Sequence, residues 1–217
     1  MPQKMPDFIP PRPNCRRCPR LHKYIKDHRK THPEWHNAPV DAVGSLSATL
    51  LIVGLAPGLR GANATGRPFT GDSAGGYLYQ MLDRHGFATG TYDNSGQDDV
   101  VLGNVRITNA VRCVPPQNKP TAEEAIKCRP FLQREIAAMG DLTQILALGR
   151  LAHEAVLRCF GLPLAAYPFA HASDYMITGA TGARSVRLVS SYHCSRYNTQ
   201  TGRLTDPMFS SIFEMLK

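Results

Sequence analysis

The sequence predicts an α/β fold, a three-layer α/β/α sandwich with a central, mostly parallel sheet of four strands. Short apolar segments rich in β-branched residues, typical of strands buried on both faces, alternate with longer segments of helical periodicity. This alternation favours a parallel sheet with helices on both faces. The chain has 217 residues, of which 42% are hydrophobic, and this suits one domain over residues 1–217.

Each element is supported by its own pattern, taken in chain order. An amphipathic helix is expected over 16–31, because one face collects apolar and aromatic side chains while mostly basic residues cover the rest. That face contains Leu21, Tyr24, Ile25 and His28. Strands are expected at 48–55, 105–111, 144–149 and 187–193. Further helices are expected at about 73–86, 121–139, 149–160 and 205–217.

The positive charge of the chain is concentrated in its N-terminal segment, residues 1–35. There are 25 Lys and Arg against 17 Asp and Glu, a formal net charge of +8. Between Arg12 and Lys30 stand eight basic residues and one acid, Asp27. Such a surface attracts polyanions, of which nucleic acid is the usual one, but a solvated helix face explains the same pattern. Charge alone leaves both interpretations open.

The six cysteines are informative because of the compartment that the sequence predicts. No window approaches the roughly 18–20 apolar residues of a membrane span, and the start lacks the apolar stretch of a signal peptide. We therefore expect a cytoplasmic monomer with no membrane partner. Cytoplasmic thiols stay reduced, so metal binding or catalysis is favoured over disulfides. Cys159 lies in an apolar helical pattern and is interpreted as a core residue; apart from Cys194, this leaves Cys15, Cys18, Cys113 and Cys128.

Unusual loop segments follow three of the predicted strands. Glycine- and proline-rich stretches follow the first strand at 56–76, extend the second at 109–120 and follow the last at 193–203. In open parallel sheets ligands bind beyond the carboxyl ends of the strands, so these loops predict the site. A nucleotide-phosphate loop is the rival interpretation, but neither G-x-x-x-x-G-K-[ST] nor a suitably placed G-x-G-x-x-G occurs.

The loop sequences also carry a family resemblance. GLAPG, GRPFTGDSAG, TNAVRC and HCSRYNTQTGR, together with the four spaced cysteines, resemble the uracil-DNA glycosylase superfamily, and specifically its family five, the type b enzymes. The resemblance covers the chain from Cys15 to about Leu204. Family four, the related iron–sulfur branch, would be expected to carry an acid where this chain has Leu55. The resemblance implies a DNA repair enzyme that hydrolyses the N-glycosidic bond of flipped-out uracil in double- or single-stranded DNA.

The resemblance further implies a structural [4Fe–4S] cluster. Its ligands would be Cys15, Cys18, Cys113 and Cys128, which agrees with the thiolate ligation that the cysteines suggest by themselves, while the choice of iron rests on the resemblance and not on the spacing. A zinc site is the alternative, since four cysteines fit either metal. In a mixed zinc set the remaining ligands would come from His22, His28 or His32.

Excision of a flipped base requires a stacking surface, a reader of the base edge and stabilisation of the departing anion. Phe69 is expected to stack on the base and Asn109 to bind its edge, within a pocket that also includes Gly54 and Leu55. His193 is expected to donate a hydrogen bond to a uracil oxygen. Each has a structural alternative: a core phenylalanine, a turn asparagine or a histidine with a purely structural hydrogen bond.

Asp72 is the predicted catalytic carboxylate. It could orient the attacking water or stabilise a cationic sugar, and Asn63 is the second candidate for positioning water. The same aspartate is also a good N-cap for the helix that begins at about Ser73, and both roles can hold together.

The loop after the last strand is predicted to meet DNA. Arg196 or Tyr197 would act as a wedge in the gap that a flipped base leaves, with Ser195 and Asn198 on phosphates. Arg203 is a further candidate for phosphate contact. Two other functions stay open: a glycosylase that also removes hypoxanthine or xanthine, and a non-catalytic nucleic-acid-binding protein with a structural metal site.

Overall fold

The computed structural model describes residues 8–179 and 185–217, and it confirms the three-layer α/β/α architecture. The strands of this part of the chain are β1 (Leu50–Gly54), β2 (Ala88–Thr89), β3 (Val101–Leu102), β4 (Val105–Asn109), β5 (Gln144–Leu148), β6 (Ser173–Thr178) and β7 (Ser185–Ser191). Its helices are α1 (Pro19–Thr31), α2 (Ala62–Thr65), α3 (Ser73–Arg84), α4 (Ala122–Ala138), α5 (Arg150–Cys159), α6 (Arg196–Gln200) and α7 (Asp206–Met215), with 3₁₀ turns at Pro116–Asn118 and Leu164–Ala166.

The central sheet has five strands in the order β4-β1-β5-β7-β6, so the predicted count of four is corrected by one. The first four strands pair in parallel, and β6 adds an antiparallel edge to β7. The sequence of β6, SDYMIT, escaped prediction because the strand is an edge strand with only Ile177 buried. A separate two-stranded ribbon is formed by β2 and β3.

Strand β1 divides the core between the two faces of the sheet. Leu50 and Ile52 pack among α3 and α7, whereas Leu51 and Val53 pack among α4 and α5. This alternation is the period of two that a strand imposes on its side chains. It also determines which way the residues just beyond the strand point.

Helix α1 is held against the sandwich through α4. Leu21 packs with Val111 and Phe131. The guanidinium of Arg20 donates two hydrogen bonds of 2.8 and 2.7 Å to the carboxylate of Glu124, which also closes the capping box at the start of α4. Because a bidentate pair fixes orientation as well as distance, α1 is held in one geometry.

No helix in the described ranges is both long and apolar enough to cross a membrane.

Candidate active site

A small pocket lies beyond the carboxyl ends of β1, β4 and β7, where the sequence predicted a ligand site. Four side chains that can stack on, hydrogen-bond or carry charge towards a ligand line it, those of Phe69, Asp72, Asn109 and His193. The rest of the wall consists of small residues and one proline, Ala56, Pro57, Gly58, Ala62 and Ala74. The structure therefore brings together four of the predicted residues from three separate loops.

Asn109 ends β4 with its side chain almost completely buried. No described residue hydrogen-bonds its amide group, although a buried amide ordinarily finds a partner. The partner strand approaches it closely at Gly54, where a Cβ would lie 2.5 Å from Asn109 Oδ1 and 2.6 Å from Phe69 Cζ. Gly54 thus contributes to the pocket by having no side chain.

Phe69 is held in an unusual backbone conformation. Its φ is +52°, a left-handed value that an aromatic residue rarely adopts. Its carbonyl group lies against α3 at Gly75, where a Cβ would come within 1.9 Å of the oxygen, so only glycine fits. The Phe69 ring faces His193, with 6.0 Å between ring centroids and 24° between planes. The strained backbone aims the ring into the pocket.

His193 follows the end of β7 and carries an unpaired imidazole. None of the described residues hydrogen-bonds its ring, which leaves the ring nitrogens for a ligand. Burial lowers the pKa of His193 below its ordinary value, and the nearby Asp72 carboxylate opposes part of that shift. The imidazole is therefore neutral at pH 7, a form that donates one hydrogen bond without a full charge.

Asp72 is the N-cap that the sequence suggested, and it also lines the pocket. As N-cap of α3 its Oδ1 accepts a 2.9 Å hydrogen bond from the amide of Gly75. The other oxygen, Oδ2, has no hydrogen-bond partner among the described residues and faces Gly58 and Gly61 on the opposite loop. The cap thus fixes the carboxylate while one oxygen remains free at the pocket wall.

Two predicted residues do not line this pocket. Leu55 continues the Leu51–Val53 face of β1, so its side chain enters a separate groove with Leu132 and Ala155 between α4 and α5. Asn63 is fully buried on α2, and its amide donates a 2.9 Å hydrogen bond to Asn37 Oδ1. Neither side chain lines the pocket, although Asn63 Oδ1 has no hydrogen-bond partner among the described residues, and the contacts expected of Leu55 with a base and of Asn63 with a water stay predictions.

Sequence reasoning missed the residues that brace the pocket loop. Arg67 donates two hydrogen bonds, 2.6 and 2.5 Å long, to the buried carboxylate of Asp98 and stacks over the rings of Tyr79 and Tyr92. The hydroxyl of Tyr92 reaches the carbonyl of Phe69 at 3.4 Å. The only sequence signal was the segment 93–99, with three aspartates and one glycine, a composition typical of an ordinary loop.

The predicted DNA-binding segment is a short helix rather than a loop. Ser195 caps α6, and Asn198 donates a 2.8 Å hydrogen bond to the carbonyl of His193, so both have structural partners. Tyr197 is 71% exposed, and Arg196 projects beside Asp72 along the rim. Arg203 stacks over Tyr192 at 4.6 Å. Of the two wedge candidates, Tyr197 presents the apolar surface.

The four spaced cysteines converge on a second pocket, formed where α1 meets α4. Cys15, Cys18, Cys113 and Cys128 all line it, and none of the three histidines suggested for zinc does so. Burial together with the neighbouring thiols raises the pKa of Cys18 to about 11 and raises that of Cys113 further. The amide of Arg112 donates to Cys128 Sγ at 3.3 Å. Cys159 and Cys194 lie elsewhere.

Four cysteine thiols in one pocket are a donor set whose chemistry suits a thiolate-bound metal group. In the described ranges, no three His, Cys, Asp or Glu side chains approach closely enough to hold one metal ion. A four-iron cluster spreads its thiolates farther apart than zinc, whose bonds to sulfur are about 2.3 Å. The backbone N–H of Arg112, which donates to Cys128 Sγ, is a suitable donor to a ligating sulfur.

Acid is expected to destabilise the fold through its histidines. Burial lowers the pKa of each of His85, His153, His171 and His193. Because the unfolded chain then binds protons more readily, stability is complete above about pH 6.5 and is lost as pH falls through the folded pKa values. Thermal unfolding between pH 7.5 and 5.5 should show a falling Tm, by about 2–4 °C for each kcal/mol lost. A Tm that stays constant or rises would contradict this.

The pocket combines an aromatic ring, an amide, a neutral imidazole and a carboxylate at the end of a parallel sheet. These features define an α/β protein that binds a small planar ring. Comparison with known proteins gives the family. Residues 42–217 match the model of the uracil DNA glycosylase superfamily, and the chain belongs to that superfamily.

Individual relatives agree with this assignment. The chain is 43% identical to a type-5 uracil-DNA glycosylase of Thermus thermophilus over 204 residues, which cover 91% of this chain and 90% of the relative. It is 41% identical to a type-5 uracil-DNA glycosylase of Pyrobaculum aerophilum, covering 92% and 86% of the two chains. A type-4 uracil-DNA glycosylase of Archaeoglobus fulgidus is 29% identical, covering 88% and 81%. The predicted family-five resemblance is confirmed.

Proposed function

We propose that the protein excises uracil from DNA by hydrolysing the N-glycosidic bond of a flipped-out nucleotide, leaving an abasic site. The observation that carries the proposal is the convergence of Phe69, Asp72, Asn109 and His193 on one pocket, in a chain of this superfamily. Base flipping presents a planar ring with a hydrogen-bonding edge, and the pocket has an aromatic face and an unpaired amide to receive it.

In this proposal the base binds by stacking and edge recognition. The ring of uracil lies against Phe69, whose backbone is fixed by Gly75 and Tyr92. Asn109 can both donate to and accept from the Watson–Crick edge, because its amide has a donor and an acceptor at one end of a fixed strand. Binding satisfies a buried amide that otherwise lacks a partner.

The reaction breaks the bond between the sugar C1′ and the base nitrogen, and the electron pair leaves with the base. His193 donates its imidazole N–H to a uracil oxygen and stabilises the anion that forms in the dry pocket. Asp72 Oδ2 orients the water that adds to C1′ and stabilises the positive charge on the sugar. The water supplies the hydroxyl of the abasic sugar, and its proton balances the departing base.

A cleavage assay on matched duplexes tests the proposal. Duplexes with one uracil, hypoxanthine or xanthine are incubated with the protein, and abasic sites are revealed by alkali. Uracil should be released, and protein that binds these duplexes without releasing any base would favour a non-catalytic nucleic-acid-binding function. Ala56, Gly58, Ala62 and Ala74 give the wall no bulky side chain, so we extend the proposal to the larger deaminated purines.

We further propose that Cys15, Cys18, Cys113 and Cys128 hold a [4Fe–4S] cluster with a structural role. Such a cluster supplies strong thiolate–iron bonds that tie α1 to the segment between Cys113 and Cys128. Purified protein should contain about four irons and four acid-labile sulfides per chain and absorb near 400 nm. Cys113→Ala should lower the yield of folded protein more than it lowers excision per folded chain. Stoichiometric zinc without iron would contradict the cluster.

Tyr197 is expected to act as the wedge. Because Tyr197 is 71% exposed and follows Arg196, which lies at the rim beside Asp72, it can fill the gap that a flipped base leaves. Tyr197→Ala should slow excision from paired DNA by about tenfold or more, since unstacking costs a few kcal/mol, and should hardly affect single strands. Met176→Ala, an equally exposed position on the β6 edge, is the control. Equal losses on both substrates would remove the wedge role.

A further inference from the structure

A charged triad lies buried beneath the cysteine pocket. The fully buried carboxylate of Glu135, on α4, accepts hydrogen bonds from Arg106 Nε at 2.7 Å, from Thr108 Oγ1 at 3.0 Å and from Nη2 of Arg112. Two guanidinium groups therefore share one carboxylate, which leaves a net charge of +1. An uncompensated charge in a protein interior is costly, so this arrangement calls for a nearby anion.

Arg112 is the member of the triad with unmet hydrogen-bonding capacity. Its side chain is 1% exposed, and its Nε and Nη1 atoms have no partner among the described residues. Buried donors are nearly always paired, and a charged one left without a partner costs several kcal/mol. Arg112 lines the cysteine pocket, and its own amide already donates to Cys128 Sγ. The missing acceptor is therefore to be sought among the cysteines.

We propose that the guanidinium group of Arg112 donates its free N–H groups to the anionic centre that the four cysteines form with their metal, and that its charge stabilises that centre. The inference rests on the metal site proposed above. Four thiolates around a doubly positive metal core carry a net charge of −2, and the triad supplies a buried positive charge against it. Neutral thiols would leave the same arginine unmatched.

Arg106 provides a matched control within the same triad. It binds the same carboxylate, but its Nη1 donates to the carbonyl of Gly44, and its guanidinium stacks over Phe8 at 5.7 Å. It does not line the cysteine pocket. Arg106→Met and Arg112→Met thus remove the same charge and one bond to Glu135, and they differ in whether the substituted residue lines the cysteine pocket.

The rate of metal release tests whether Arg112, and not Arg106, stabilises the metal centre. Holoprotein is mixed with excess chelator under native conditions, and the release of iron or zinc is followed alongside the Tm of each variant. Arg112→Met should release metal about tenfold faster than the parent or more, and Arg106→Met within about threefold, as the loss of a charge-assisted contact implies. Equal release by the two variants would overturn the proposal. Should Arg112→Met fail to fold, Arg112→Lys, which keeps the charge with fewer donors, should release metal at an intermediate rate.

The reduction potential of the metal centre should shift in opposite directions when the charge of the triad is lowered or raised. Arg112→Met makes the triad neutral and should lower the potential of an iron–sulfur centre, whereas Glu135→Gln makes it +2 and should raise the potential. Shifts in the same direction would indicate a merely structural effect. Metal analysis of the parent separates the cluster proposal from the proposal for Arg112. Zinc in place of iron would contradict the cluster, and the role of Arg112 would still be tested by metal retention. A parent that retains no metal would contradict both proposals.

Discussion

Asp72→Asn is expected to fold and bind uracil-containing DNA normally and yet to excise uracil about a hundredfold more slowly, or worse. The substitution preserves the N-cap, because an asparagine oxygen can still accept from the amide of Gly75. It removes the negative charge on Oδ2, the oxygen that faces the opposite loop and has no hydrogen-bond partner among the residues that the structure describes. Single-turnover excision on one duplex, with thermal unfolding of the same preparation, measures both properties.

Asp72→Ala separates the cap from the charge. This variant should lose about 1 kcal/mol of stability along with the activity, because the amide of Gly75 loses its acceptor. If Asp72→Asn excises within a few-fold of the parent while Asp72→Ala is only destabilised, the aspartate is a cap alone. The chemistry would then depend on His193 and Asn109.

The central sheet could be predicted because its strands are buried on both faces. LLIVG and QILAL are short runs of mainly apolar residues, VRITN alternates apolar with polar residues, and each lies within the predicted range. The edge strand β6 and the five-residue α6 could not be found in the same way. One has polar residues on its exposed face, and the other is too short to establish a helical period.

The convergence of residues on the pocket was largely predictable, whereas Leu55 and Asn63 lie outside its lining for two different reasons. Residues that follow parallel strands meet at one edge of the sheet, which is why Asn109 and His193 converge. The side on which each residue points depends on strand alternation, and this places Gly54 towards the pocket and Leu55 away from it. Asn63 failed because its partner, Asn37, comes from a segment without a pattern.

Tertiary contacts that brace the site could not be read from local sequence. The pair of Arg67 and Asp98 joins residues 31 apart across a loop, and the left-handed backbone of Phe69 persists because Gly75 and Tyr92 surround its carbonyl. Such strain is stored only where neighbouring structure enforces it. The ion pairs that join Arg106 and Arg112 to Glu135 could not be predicted for the same reason, because Glu135 is distant in sequence from both arginines.

Gly54→Ala is expected to slow uracil excision by about a hundredfold or more, while the sheet still forms. The new methyl group would overlap Asn109 Oδ1 and the Phe69 ring at about 2.5 Å, and both belong to the proposed base site. The backbone of β1 cannot retreat, because it is paired with β4 on one side and β5 on the other. The side chains must move instead, and overpacking of this kind costs about 1–3 kcal/mol.

Loss of base binding distinguishes this effect from general destabilisation. Free uracil should inhibit the parent as a product and should no longer inhibit folded Gly54→Ala, because the stacking ring and the amide are displaced. Gly103→Ala is the matched control, since its nearest neighbour would be 3.5 Å from the new Cβ, an ordinary contact. If Gly54→Ala kept excision within a few-fold of Gly103→Ala, the base would have to bind outside the pocket formed by Phe69, Asp72, Asn109 and His193.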